Sequence, residues 1–364
     1  MSNSAGAMKH IPALDGLRAF AVLIVMISHG GFGHIVPGGF GVTIFFFLSG
    51  YLITTLLRRE FEKSDKIDYK GFYFRRIVRI FPPMYVAILF AVILSLLSLQ
   101  PEAIKYENLY WDFLFLSNYS PGFDGNSGIR IPLWSLDVEE HFYMIFPLFY
   151  FMVASKLSSR NVALSCAAIC LIVLLVRIAN VAVLDDFSNN YYWSHTRIDS
   201  IVFGCCLALW NNPNADGPDY FKSPWFSLIM AGVLILAGFV IRDPVFRETL
   251  RYSIQGVGLF FLFNFIIRDN SIIKQILGSG MMRFVALLSY SLYLIHLPIY
   301  IAINMLMPEY PAMVRLAIGT ALSFAVAYAI YIFVERPLAQ WRRKTEAKWQ
   351  MTKREANLET GSAG

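Results

Sequence analysis

The chain has 364 residues, of which 57% are hydrophobic and only 15% charged, and its mean hydropathy is +0.53. A soluble domain carries ~45–50% apolar and ~25% charged residues, so these charges are too few to cover a water-facing surface. The composition excludes a soluble enzyme, a disordered chain and a nucleic-acid binder. The formal charge of +6 is read below as a topology signal.

Ten apolar segments follow one another along the chain, at about 12–30, 38–57, 80–99, 132–154, 161–184, 196–210, 224–241, 250–268, 284–304 and 311–334. Most have the ~20 residues needed to cross a ~30 Å hydrocarbon layer; the sixth is short, which suggests a broken or tilted helix. The pattern predicts an all-α polytopic bundle of about ten spans. Residues 109–117, rich in aromatics, are expected at the interface or re-entering it. Residues 338–364 form a basic tail, expected as a short helix around 344–348 that frays to disorder. With the N-terminus and alternate loops on one side, that side holds 22 of the 31 Lys and Arg residues. The opposite loops hold Lys105, Arg130, Arg242 and Arg247. The positive-inside rule therefore puts both termini in the cytoplasm. Residues 1–11 lack the features of a removable signal peptide. The four cysteines all fall inside spans and read as small buried hydrophobes.

Ionisable residues inside spans are costly and mark sites. The first span carries Asp15, Arg18 and His29. Arg18 and His29 share a helix face, about 20° from alignment and ~16 Å apart along the axis. Asp15 and Arg18, as i,i+3 neighbours, are placed to pair. Arg76 and Arg79 share a face at the mouth of the third span and suit phosphate recognition. The fourth span opens with Trp134 and Ser135 and then carries Asp137, Glu139, Glu140 and His141. The sixth begins with His195, Arg197 and Asp199, and the ninth carries His296. Topology alone brings His29, Glu139 or Glu140, Arg197, Asp199 and His296 to similar depth, which points to one shared site. Arginines below and a histidine–carboxylate site above suggest a ligand with a phosphate head and a long reach.

At these residues the chain resembles the acyltransferase-3 family of integral membrane O-acyltransferases, over most of residues 11–337. Arg18 to His29 is similar to the family's Arg-x10-His pattern and Phe45–Tyr51 to its second span. Arg76 and Arg79 fit Arg-x-x-Arg, and Trp134-Ser135-Leu136-Asp137-Val138-Glu139 fits Trp-Ser-Leu-x-x-Glu. Arg197-Ile198-Asp199, the 289–298 segment with Tyr293 and His296, and Glu335-Arg336-Pro337 resemble later elements. The resemblance implies a bacterial inner-membrane enzyme that moves an acyl group, often acetyl, from cytoplasmic acyl-CoA to a hydroxyl of a carbohydrate or glycolipid acceptor. Some longer members carry an added esterase-like domain, and the membrane domain alone is expected here. His29 is then the general base, with Glu139, Asp199 or both orienting it. Arg18 or a buried hydroxyl stabilises the oxyanion, and Arg76 and Arg79 hold the CoA phosphates. Trp134, Ser135, Glu140, Arg197, Tyr293 and His296 contact substrate, and no metal is expected.

Two alternatives stay open on the residues. The same cluster suits a proton-coupled transporter or flippase, although no inverted repeat is visible. An acyl-CoA sensor without chemistry is weaker. The spacing of His10 and Asp15 fits the His-x4-Asp pattern of glycerolipid acyltransferases, but no further motif of that class accompanies it.

Overall fold

The computed structural model describes residues 10–100, 109–120, 123, 130–185, 187, 189–268 and 271–361. Every described element is helical: α1 Pro12–Ile27, α2 Gly38–Ser64, α3 Tyr69–Leu96, α4 Leu109–Phe113, α5 Arg130–Ala154, α6 Ser159–Leu184, α7 Ser194–Arg197, α8 Asp199–Leu209, α9 Pro224–Val240, α10 Pro244–Glu248, α11 Leu250–Arg268, α12 Ile272–Leu277, α13 Gly280–Leu306, α14 Ala312–Ile330 and α15 Arg336–Gly361. Each of the ten expected segments has its helix. Seven described helices are long and apolar enough to cross a membrane, while α8 and α9 are apolar but shorter.

Extra helical length accumulates at one end of the bundle. Helix α2 runs on to Ser64 and α3 starts at Tyr69, so both overshoot their apolar segments on the arginine-rich side. There Asp68 caps α3, accepting from the Gly71 N–H at 3.2 Å, which ties down one of the free N–H groups of a helix start. Helix α3 continues through Pro82 and Pro83, whose missing N–H groups leave the carbonyls one turn earlier, beside Arg79, without their usual donors.

The tail differs from the sequence expectation. A π-helical turn, Tyr331–Glu335, carries α14 straight into α15, which extends to Gly361. Its residues are mostly strong helix formers, and α15 gains a partner in α3. The Phe74 ring meets Trp341 at 5.5 Å and Trp349 at 4.8 Å, and Arg75 pairs with Glu346 at 3.3 Å.

The core forms where α2 meets α1 and α8, with α13 against α1 and α14. Contact between α2 and α8 depends on paired glycines. A Cβ on Gly50 would lie 1.9 Å from the Ile201 carbonyl oxygen, and one on Gly204 would lie 2.0 Å from the Phe47 carbonyl oxygen. The segment expected at the interface forms α4 and a 3-10 turn, Ser117–Tyr119. Asp137 of α5 anchors that turn through the Ser117 hydroxyl and through the Asn118 N–H at 3.0 Å.

Candidate active site

Helix α1 ends in a π-helical turn, Ser28–Phe32, in which Gly31 adopts a φ of 104°. Such wide turns recur at functional sites, and this one presents His29. Its Nδ1 lies 2.9 Å from Nε2 of His296 on α13. The ring centroids are 5.2 Å apart and the planes differ by 5°, so the imidazoles meet edge to edge in nearly one plane. The other His296 nitrogen, Nδ1, lies 2.9 Å from the carbonyl oxygen of Leu292. A carbonyl only accepts, so His296 carries its proton on Nδ1 and offers a lone pair at Nε2. His29 must then donate from Nδ1, which leaves its own Nε2 with a lone pair. The fixed carbonyl therefore sets both tautomers.

One helical turn below His296, Tyr293 shares a 2.6 Å hydroxyl–hydroxyl bond with Ser135, and its ring lies 6.0 Å from His296. Ser135 and Tyr293 line a cavity of about 210 Å³ that also takes in Glu139, Arg18, Arg76 and Arg79. Within it Glu139 accepts from Ser49 at 2.8 Å and from Tyr143 at 3.2 Å. Arg76 lies over the Tyr143 ring at 4.8 Å. A larger space of about 1010 Å³ is again lined by Arg76 and Arg79 and adds Arg342 of α15. A side cavity of about 400 Å³ shares Arg18, Arg79 and Arg342. Four arginines from α1, α3 and α15 thus converge where these spaces meet, an arrangement suited to several phosphate groups.

The structure divides the single expected cluster. His29 and His296 come together, as do Arg18, Arg76, Arg79, Glu139, Ser135 and Tyr293 around the cavity. Neither expected carboxylate partner reaches His29 by a hydrogen bond: Glu139 is held by Ser49 and Tyr143, and Asp199 pairs with Arg177 at 2.7 Å. Arg177 is fully buried and also binds the carbonyls of Thr249 and Thr196 and the Ser253 hydroxyl, so Asp199 serves as its counter-ion. Arg197 packs over the Tyr252 ring at 4.1 Å and donates to Thr43 at 3.2 Å. Trp134 is buried against Tyr191 and Tyr192. Glu140 is buried without a hydrogen-bond partner for its Oε1 among the described residues and is not part of the cavity wall. Asp15 pairs with His10 at 2.6 Å, not with Arg18, because Arg18 turns into the cavity.

Sequence reasoning passed over Ser49, Tyr143, Arg177 and Arg342. Arg177 carried a usable signal, since a lone arginine within the apolar 161–184 segment needs a buried acceptor. Ser49 and Tyr143 gave none, because hydroxyls are common in spans.

The family model described as an acyltransferase domain (acyltransferase 3) matches residues 11–332. Similar proteins include peptidoglycan O-acetyltransferase OatA of Listeria monocytogenes, 29% identical over 94% of this chain and 60% of that protein. O-acetyltransferase OatA of Staphylococcus aureus is 30% identical over 91% of this chain and 57% of that protein. The putative peptidoglycan O-acetyltransferase YrhL of Bacillus subtilis is 28% identical over 91% and 55% respectively. The chain thus spans between half and two thirds of the length of these relatives. No solved structure matches it. With an arginine-lined cavity whose wall residue Tyr293 lies one helical turn from a histidine pair, and with the family model covering nearly its whole length, this chain belongs to the acyltransferase-3 family of membrane proteins.

Proposed function

We propose that this chain transfers an acetyl group from cytoplasmic acetyl-CoA to a hydroxyl of a cell-wall glycan on the outer side of the bacterial inner membrane. The observation that carries this reading is the sharing of Arg76 and Arg79 between the larger basic space and the cavity lined by Ser135 and Tyr293. In this reading the arginines hold the CoA phosphates and the pantetheine arm lies in the cavity, with the thioester toward the histidine pair. His29 Nε2 takes the proton of the acceptor hydroxyl, whose oxygen attacks the thioester carbonyl. The oxyanion is held by a hydroxyl donor such as Tyr293, and the departing thiolate takes up the proton. The names of the relatives support a peptidoglycan acceptor. The histidine pair ends on the backbone carbonyl of Leu292, which favours a base held in one tautomer over the proton wire of a transporter.

Membranes carrying the wild type or His29→Ala, supplied with radiolabelled acetyl-CoA and cell-wall glycan, test the proposal. Alkali-labile label on glycan with the wild type alone is the expected result. Equal label with both removes His29 as the base, and label with neither overturns the transferase reading.

A further inference from the structure

A second chamber, of about 660 Å³, lies at the histidine end of the bundle. Ser28, immediately before His29, is in its wall, so it adjoins the turn that presents the proposed base. It is separate from the arginine-lined cavity and shares no lining residue with it. We propose that it is the acceptor-glycan site, and that it selects sugars carrying an anionic group. This inference rests on the transferase reading above, under which the chamber opens outward.

Three features point to that ligand. The first is charge. Only four Lys or Arg residues fall in the loops expected outside, and two of them, Arg242 and Arg247, line this chamber. Both are exposed and neither forms an ion pair with a described residue. Cations on outer loops run against the topological bias, so their concentration at one opening calls for a partner of opposite sign. The second feature is the aromatic wall formed by Tyr191, Tyr192 and Phe239, a surface on which sugar rings pack by their apolar faces. A Cβ on Gly39 would lie 2.6 Å from the Tyr191 hydroxyl oxygen, so a glycine there lets that ring sit flush against α2. The third is Arg197 behind the wall. It is fully buried, and its Nε and Nη1 have no hydrogen-bond partner among the described residues. It packs on Tyr191 and Tyr252 and donates to Thr43, all three of which line the chamber. Arg197 is not itself in the chamber wall; from behind that wall its positive charge favours an anion in the chamber.

The test measures equilibrium binding to the purified full chain. The probes are fluorescent chitotetraose and the same tetrasaccharide bearing O-carboxymethyl groups. The wild type is expected to bind the carboxylated glycan at least 10-fold more tightly than the neutral one. Arg242→Ala with Arg247→Ala should abolish that preference and leave neutral binding within 2-fold. Arg242→Lys with Arg247→Lys should keep it. No preference in the wild type, or an unchanged preference in the alanine pair, overturns the proposal. So does a result in which the alanine pair loses affinity only for phosphatidylglycerol vesicles, since the arginines would then anchor lipid. Because binding is read without turnover, selective binding with no acetyl transfer would remove the transferase reading and leave the anionic-glycan site standing. Transfer without selective binding would do the reverse.

Discussion

The 2.9 Å bond between His29 Nδ1 and His296 Nε2 is an imidazole-to-imidazole contact in which the partner supplies no charge. An orienting carboxylate would stabilise a protonated His29; a neutral imidazole fixes only the tautomer and the ring plane. Replacing His29 with alanine should lower kcat by ~10²–10⁴-fold, the usual contribution of a positioned base. Replacing His296 with alanine removes the acceptor and frees the His29 ring, a misplacement expected to cost up to ~10²-fold. His296→Gln keeps an acceptor oxygen and should recover part of the loss. Steady-state kinetics at saturating acetyl-CoA check this, and a His296→Ala enzyme with wild-type kcat would show that the pair has no positioning role.

The convergence of Arg76 and Arg79 between two cavities leads to a donor-side prediction. Each charge-assisted hydrogen bond to a phosphate contributes roughly 1.5–3 kcal/mol. Arg76→Ala with Arg79→Ala should therefore raise the acetyl-CoA KM at least 10-fold with little change in the acceptor KM. Donors lacking the 3′-phosphate sharpen the experiment. The wild type should discriminate against dephospho-acetyl-CoA, and removing whichever arginine reads that phosphate should erase the discrimination. Equal donor KM in variant and wild type would reassign both residues to lipid anchoring.

The helices were legible because apolar runs of membrane length leave little choice of secondary structure. The paired positions were not. Depth along a span follows from counting residues, so His29 and His296 could be placed at one level from sequence. Rotation about each helix axis is set by packing, which single-sequence periodicity reports poorly when a helix is buried on most sides. That is why Asp199 could be expected beside His29 and yet faces Arg177. The extent of α15 was hidden for another reason: among the described residues its ring contacts to α3 are Trp341 and Trp349 against Phe74, too sparse an apolar pattern to stand out in a basic segment.

Helix α15 brings Arg342 to the junction of the two basic cavities, so the tail should matter for donor binding. Arg342→Ala is expected to raise the acetyl-CoA KM several-fold with kcat nearly unchanged. Trp349→Ala, which loosens α15 from Phe74 and from Lys70, 4.6 Å from the Trp349 ring, should move donor KM in the same direction by a smaller factor. A donor KM that ignores both changes would separate α15 from the donor site.

Asp199 offers the clearest contrast between a structural and a chemical role. Its bond to Arg177 is wholly buried, and Arg177 holds the ends of α7, α10 and α8 through the Thr196 and Thr249 carbonyls and Asp199 itself. Removing one partner of a buried pair strands the other charge, at a cost of about 3–5 kcal/mol. Asp199→Ala should therefore lower the melting temperature of the purified protein sharply and reduce its yield. Asp199→Asn keeps an acceptor for Arg177 and should recover much of the stability. Asp199→Asn protein that melts like the wild type should also turn over within a few-fold of it. If that variant is fully stable but loses ~10²-fold or more in kcat, Asp199 acts in the chemistry itself, and its placement as a counter-ion to Arg177 is not its main role.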